Sequence, residues 1–231
     1  MTTRYNISLV VPKSTLSRLP LYYSHICKLQ QQGERYVSAA SVAQSLNLNP
    51  ILVRKDLSGV SSVEGKPRAG FEIDTLLNDL SEYLGYNKVD EAILVGVGSL
   101  GRLILTNKEF SSMGLDITVG FDKDPDLVGL QIGSKYILPM EKMESYIKRT
   151  GVKIGIITVP ADQAQDVCDK MVKCGILAIW NFAFALLNVP QGILVKNENL
   201  PSSLALLSQQ LANKLKTNNE SIHFPTTNLR K

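Results

Sequence analysis

The clearest chemistry in the sequence lies in six consecutive residues, Gly96-Val97-Gly98-Ser99-Leu100-Gly101. The spacing is G-x-G-x-x-G. It follows the short apolar run Ala92-Ile93-Leu94-Val95 and opens a helix-like segment at about 100–110. In that setting the first glycine permits a tight turn. The second lets the backbone approach a pyrophosphate, and the third lets helix and strand pack closely. Backbone N–H groups at the helix N-terminus then receive the phosphates. Asp122 ends the next apolar run, 26 residues after Gly96. A carboxylate there accepts hydrogen bonds from an adenosine ribose and disfavours a 2′-phosphate, so NAD or NADH is expected rather than NADP. Lys123 beside it weakens that preference. The alternative is a nucleotide-type fold that keeps its glycines for packing alone.

A second set of residues has the chemistry of phosphate and base recognition. Asn49-Pro50 is a helix start, with Asn as cap and Pro at the first position. The helix that follows carries Arg54 and Lys55. Arginine reads guanine with two hydrogen bonds, and either residue can hold phosphate. Ser38 and Ser41 open the preceding helix and can donate to phosphates. Lys66 and Arg68 lie in a Gly- and Pro-rich stretch, 59–72, that reads as a loop or hairpin. The same cations also suit an ordinary solvated face.

Other chemistry is poorly provided for. Only His25 and His223 are present, and Cys27, Cys168 and Cys174 show no metal spacing. No catalytic residue and no metal site is expected. The cysteines read as reduced thiols, which with the absence of a signal-peptide pattern or a long apolar run points to a cytoplasmic protein with no membrane segment.

Helices are expected at 14–32 (capped by Ser14 or Ser17 and stopped by Gly33), at 38–46, from Pro50 onward, and at 73–84 up to Gly85. Three short helices followed by a basic hairpin outline a winged helix-turn-helix. From residue 91 four apolar runs, at 92–95, 117–121, 154–159 and 176–180, alternate with helical segments at 100–110, 140–149 and 161–173. That pattern predicts a Rossmann-like parallel sheet covered on both faces, so the fold class is α/β with an N-terminal winged helix. Leu204, Leu207, Leu211 and Leu215 form one stripe of a last helix, at about 202–216. It packs either on its own domain or on a partner subunit. The expected division is 1–85 for DNA binding, 86–200 for the dinucleotide, and 201–231 for a dimerisation helix and polar tail.

The chain has 231 residues, 44% of them hydrophobic and 20% charged, which excludes a wholly disordered polymer. Its net charge of +4 is unevenly placed. Residues 1–70 hold nine Lys/Arg and three acids, a net +6, while the remainder nets −2. A basic first third suits double-stranded DNA as partner.

The sequence resembles the Rex family of bacterial redox-sensing repressors from about Leu16 to Leu211. The resemblance rests on Arg18-Leu19-Pro20-Leu21-Tyr22-Tyr23, Val53-Arg54-Lys55-Asp56-Leu57-Ser58, the glycine turn, and Phe121-Asp122-Lys123-Asp124-Pro125. It continues through Gly155-Ile156-Ile157-Thr158-Val159-Pro160-Ala161 and Asn181-Phe182-Ala183. It implies a homodimer with exchanged C-terminal helices that leaves its operator when NADH replaces NAD. It also implies that Thr158, Val159, Pro160, Asn181 and Phe182 lie near the nicotinamide, and that Ser58 joins the DNA-binding residues. Some positions depart from the family. Ser24 stands where the family has Arg, and Asn199-Leu200 where it has Asp-Phe. That Arg and Asp form an ion pair of the family's redox switch. Asn107 replaces a Tyr linked to the NADH response, Gly59-Val60 replaces Tyr-Phe, and Phe184 replaces a Pro. The expectation is a divergent paralogue with a weakened or lost redox response. The alternative is a small dinucleotide-dependent oxidoreductase or a coenzyme A-binding protein.

Overall fold

The computed structural model describes residues 11–220. The first ten residues of the expected DNA-binding domain and the end of the tail, 221–231 with His223, lie outside the described residues. The chain divides into two compact units. One holds the residues up to Asp90 together with Lys108–Asp116. The other holds Glu91–Asn107 and the residues from Ile117 on. Nothing in the sequence marks 108–116 for the first unit. The link is made by backbone, the Asp90 N–H donating to the Gly114 carbonyl at 2.8 Å.

The first unit contains α1 (Lys13–Leu16), α2 (Leu19–Gln31), β1 (Tyr36–Val37), α3 (Ala39–Ser45), α4 (Pro50–Val60), β2 (Phe71–Glu72) and α5 (Ile73–Leu84). The single helix expected over 14–32 is two helices, because Pro20 sits at the start of α2. A proline ring clashes with the carbonyl four residues back and forces the preceding turn open. Neither Ser14 nor Ser17 caps; Pro12 holds that place for α1 and Ser17 ends it. The caps of the next two helices match the sequence reading. The Ser38 hydroxyl oxygen accepts from the Ser41 N–H, and Asn49 Oδ1 accepts from the Ile51 and Leu52 N–H groups. The loop or hairpin expected over 59–72 begins only after Val60, because α4 continues through Gly59 and Val60; the chain then folds back as a hairpin whose Lys66 and Gly70 pair, and β2 pairs antiparallel with β1. Leu19, Tyr22, Ile26, Val42, Val53, Leu57, Phe71, Leu76 and Leu80 form the core. The short helix α6 (Ser99–Thr106) belongs to the second unit, whereas α7 (Glu109–Ser112) belongs to the first. The expected helix over 100–110 is therefore interrupted, at Asn107-Lys108.

The second unit is built on a seven-stranded sheet: β3 (Asp90–Val95), β4 (Leu115–Asp122), β5 (Gln131–Ile132), β6 (Lys135–Pro139), β7 (Ile154–Ile157), β8 (Ala178–Asn181) and β9 (Leu194–Asn197). The spatial order is β5-β6-β4-β3-β7-β8-β9. Without β5, a short antiparallel edge on β6, this is the 3-2-1-4-5-6 order of a dinucleotide-binding fold. Four strands match the apolar runs. The sequence reading missed β5, β6 and β9. Helices α8 (Met143–Thr150) and α9 (Ala164–Cys174) pack Met143, Ile147, Cys168 and Met171 against Ile93, Val119, Phe121 and Ile157. Gly120 alternates with Val119 and Phe121 and so faces the other side, where Leu105 of α6 approaches it. The sheet is covered on both faces. A last helix, α10 (Leu200–Glu220), follows β9.

Candidate dinucleotide site and nucleic-acid interface

The sheet register aligns the candidate dinucleotide residues. Val95 of β3 pairs with Ile157 of β7, which pairs with Asn181 of β8. The residues that follow, Gly96, Thr158 and Phe182, therefore emerge side by side at the carboxyl edge, at the switch point where such folds take ligands. The Thr158 N–H donates to the Val95 carbonyl, and the Phe182 N–H to Ile157, each at 2.9 Å.

Each glycine of the turn is there for a different reason. Gly96 has φ +98, a left-handed conformation, and a Cβ there would lie 2.7 Å from Val159 Cγ1. A Cβ on Gly101 would lie 2.0 Å from the Gly96 carbonyl oxygen, so close packing of turn and helix demands glycine. Gly98 is different. Its φ of −71 and ψ of −163 suit any residue, and a Cβ there meets nothing within 4 Å. The fold does not need glycine at 98, and the missing side chain leaves the backbone open to close approach.

The rest of the turn completes an anion-receiving surface. Gly98 is the N-cap of α6 and supplies no side-chain bond, so Ser99, exposed Leu100 and their neighbours leave the first N–H groups of the helix uncapped by side chains. Buried Val97 donates its N–H to Asp122 Oδ2 at 2.5 Å, and the Asp124 N–H donates to Oδ1 at 3.0 Å. Asp122 thus braces the turn from β4, and each oxygen keeps a lone pair to offer. Lys123 and Pro160 are exposed near the same edge. Thr158 Oγ1 sits 2.6 Å from the Gly96 carbonyl and locks β7 to the turn.

Asn181 ends β8, directly before Phe182. It is fully buried. Its Nδ2 donates to the Ala185 carbonyl and to Asn197 Oδ1, both at 2.8 Å, and its Oδ1 accepts from the Ala183 N–H. It shapes the loop after β8 and ties β8 to β9. Phe182 stacks on Trp180 at 4.7 Å between ring centroids and stays half-buried.

In the first unit, a groove of about 790 Å³ runs between α4 and the hairpin. Ser38, Arg54, Ser58, Lys66 and Arg68 line it. Ser41 and Lys55 are exposed but lie outside the lining, and the Ser41 hydroxyl donates to the Ser38 carbonyl. Glu64 is the acid among the lining residues, against three cations. Lys66 is partly preorganised: Nζ donates to the Tyr36 hydroxyl at 3.0 Å and lies 5.0 Å from its ring centroid. That contact raises the lysine pKa, so the cation persists. Arg68, at the hairpin tip, has φ +64.

Two buried carboxylates fix α4. Asp56 is 3% exposed and accepts from Thr15 Oγ1, from Arg18 Nε and Nη2, and from the Tyr22 hydroxyl. Burial alone pushes its pKa up; the bonds from Arg18, Thr15 and Tyr22 outweigh that and hold it below the usual range. Asp79 of α5 accepts from the Ser62 N–H and hydroxyl, at 2.6 and 2.9 Å, just past the end of α4. The sequence reading assigned no role to Asp56, Tyr22, Asp79 or Tyr36. For Asp56 a signal existed: it falls three residues after Val53 and beside Leu57, on the apolar stripe of a helix whose other charges are cations. Tyr36 offered none.

A winged helix with a cation-lined groove and a Rossmann sheet with an open glycine turn define a DNA-binding regulator carrying a nucleotide-type sensor unit. Comparison with known proteins agrees. Residues 10–58 match the family model described as a putative DNA-binding protein N-terminus, and 87–185 match the CoA binding domain model. The redox-sensing transcriptional repressor Rex of Bacteroides fragilis is 39% identical over 201 residues, 87% of this chain and 91% of that one. The Rex of Treponema denticola is 35% identical over 200 residues, 87% of this chain and 95% of its own. The crystal structure of RSP in complex with beta-NAD+ and operator DNA superposes with a TM-score of 0.82 at 29% identity, covering 94% of this chain and all of that one. RSP in complex with beta-NADH gives 0.80 at 29% identity, with 92% and 99% covered. The chain belongs to the Rex family of redox-sensing transcriptional repressors.

Proposed function

We propose that this chain is a homodimeric transcriptional repressor that binds an operator through residues 1–85 and NAD or NADH through 86–200. The observation that carries the reading is the groove itself: Arg54 reaches it from α4, which Asp56 and Asp79 hold in place, and Lys66 and Arg68 reach it from the hairpin. In this reading Arg54 and Ser58 meet the major groove, and Lys66 and Arg68 the neighbouring backbone or minor groove. The dinucleotide is held by Gly96, Gly98 and Gly101, with its pyrophosphate on the uncapped start of α6 and its ribose on Asp122. Thr158, Val159, Pro160 and Phe182 line its nicotinamide end, over the frame that Asn181 supports.

The carboxylate of Asp122 disfavours a phosphorylated ribose, which separates NAD from NADP and coenzyme A. An enzymatic role is not part of the proposal. Burial pushes the Cys168 and Cys174 thiols up, away from thiolate chemistry, and the described residues of that unit include no histidine. The homodimer is supported by α10, whose Leu204, Leu207, Leu211 and Leu215 are each more than half exposed. An isolated amphipathic helix is marginal in water, and a second copy would cover this stripe.

The redox response is weakened. Ser24 and Asn199 carry no charge, so the ion pair implied by the resemblance cannot form. Asn199 instead caps α10, accepting from the Ser202 N–H at 2.9 Å. A ligand shifts a two-state equilibrium only by its differential affinity for the two states. The test is fluorescence anisotropy of a labelled palindromic operator at fixed salt, with no ligand, with NAD and with NADH. Binding that is retained in all three supports the reading. No binding to any DNA overturns it, and a tenfold release by NADH overturns the weakened response.

A further inference from the structure

Ile51 is 79% exposed, the most exposed large hydrophobic side chain among the described residues of the first unit. A single exposed isoleucine is unremarkable by itself. Its place is what gives it meaning. It stands at the second position of α4 and lines the cation-rich groove beside Pro50. Arg54 and Ser58, three and seven residues on, complete one face of the helix toward the same groove. The backbone is fixed, because the Ile51 N–H is held by Asn49 Oδ1 at 2.9 Å. The side chain is stiff, because a β-branched residue in a helix has one strongly preferred rotamer.

A rigid apolar side chain beside a guanine-reading cation has one natural counterpart in the major groove, the C5-methyl of thymine. We propose that Ile51 determines operator specificity by packing on a thymine methyl next to the base read by Arg54. The step from residue 51 to residue 54 is about 4.5 Å along a helix axis. Base pairs are about 3.4 Å apart. The thymine therefore lies one or two base pairs from the Arg54 contact. This inference rests on the DNA-binding reading above.

The experiment selects an operator half-site from random duplex DNA with the full-length protein. Each thymine in turn is then replaced by deoxyuridine, which removes the methyl group and leaves base pairing intact. Wild type, Ile51→Ala and Ile51→Val are compared at fixed salt, with circular dichroism to confirm folding. Wild type should lose affinity about fourfold per half-site at one thymine, the equivalent of unburying one methyl group. Ile51→Ala should bind thymine and deoxyuridine alike at that position, and Ile51→Val should restore the difference. If no DNA is selected, the DNA-binding reading falls and this inference with it. If DNA is selected but no thymine shows the Ile51-dependent difference, the inference alone is overturned.

Discussion

Arg18 grips Asp56 with two bonds, Nε to Oδ2 at 2.8 Å and Nη2 to Oδ1 at 3.0 Å. The pair joins α2 to the buried side of the helix whose outer side carries Arg54. Asp56→Ala leaves Arg18, Thr15 and Tyr22 without their shared acceptor. Removing one partner of a buried pair costs about 3–5 kcal/mol. Urea denaturation should show a loss of that size, and a loss under 1 kcal/mol would mean the cluster is replaceable by water.

The same carboxylate makes the fold sensitive to acid. Its folded pKa lies below the ordinary value of 3.8. Above that value both folded and unfolded states are ionised and the contribution is fully present. As pH falls below it, the unfolded chain takes up its proton first, and stability drops until the folded group titrates too. Between pH 5 and 3, wild-type stability should fall more steeply than that of Asp56→Asn. Parallel curves would remove Asp56 from the acid response.

Gly98 and Gly101 should separate binding from folding. Gly101→Ala places a Cβ 2.0 Å from a backbone oxygen and should unfold or severely destabilise the second unit. Gly98→Ala meets nothing and should melt within about 0.5 kcal/mol of wild type, as an unstrained surface change does. Its NADH affinity, measured by calorimetry, should still fall at least about tenfold, because the pyrophosphate can no longer approach the backbone. Unchanged affinity would place the ligand elsewhere.

Leu207→Asp with Leu211→Asp puts two charges on a stripe that is already more than half exposed within the chain. Circular dichroism at 222 nm should change little for the units themselves. Sedimentation should shift from dimer to monomer, and operator affinity should fall with it. A dimer that survives would assign the interface to another surface.

What was legible in the sequence was what local chemistry enforces. Asn49-Pro50 starts a helix wherever it stands before an apolar stripe. The glycine turn is fixed by the run of Ala92-Ile93-Leu94-Val95 before it. The strands β6 and β9 were not legible, since Tyr136 and Leu194 face solvent and the runs are short and mixed. They are strands because their neighbours supply a paired edge. At Pro20 two local signals conflict: the apolar periodicity runs across it, while the proline ring breaks the helix. The cluster around Asp56 joins residues 34 to 41 positions apart, which spacing along one helix cannot reveal. Likewise, the three bonds that Asn181 makes inside the protein depend on the loop after β8 and on the neighbouring strand β9, which the local sequence does not show.

Arg68→Gly should separate the conformation of the hairpin tip from its charge. A non-glycine residue at φ +64 carries a penalty of about 1–2 kcal/mol. Glycine should therefore raise thermal stability while operator binding weakens, with a salt dependence shallower by about one phosphate contact. Equal affinity and slope would exclude Arg68 from the interface.

That tip also constrains how the protein can drift. The residues that its left-handed backbone accepts most readily are glycine, asparagine and aspartate, and none of them is cationic. Random substitution at position 68 that is selected only for a well-folded chain will tend to erase the charge, or even reverse it. An arginine persists there only under pressure from outside the fold. Sequence change in a lineage that no longer needed its operator should show first at this one turn, long before any core residue moved.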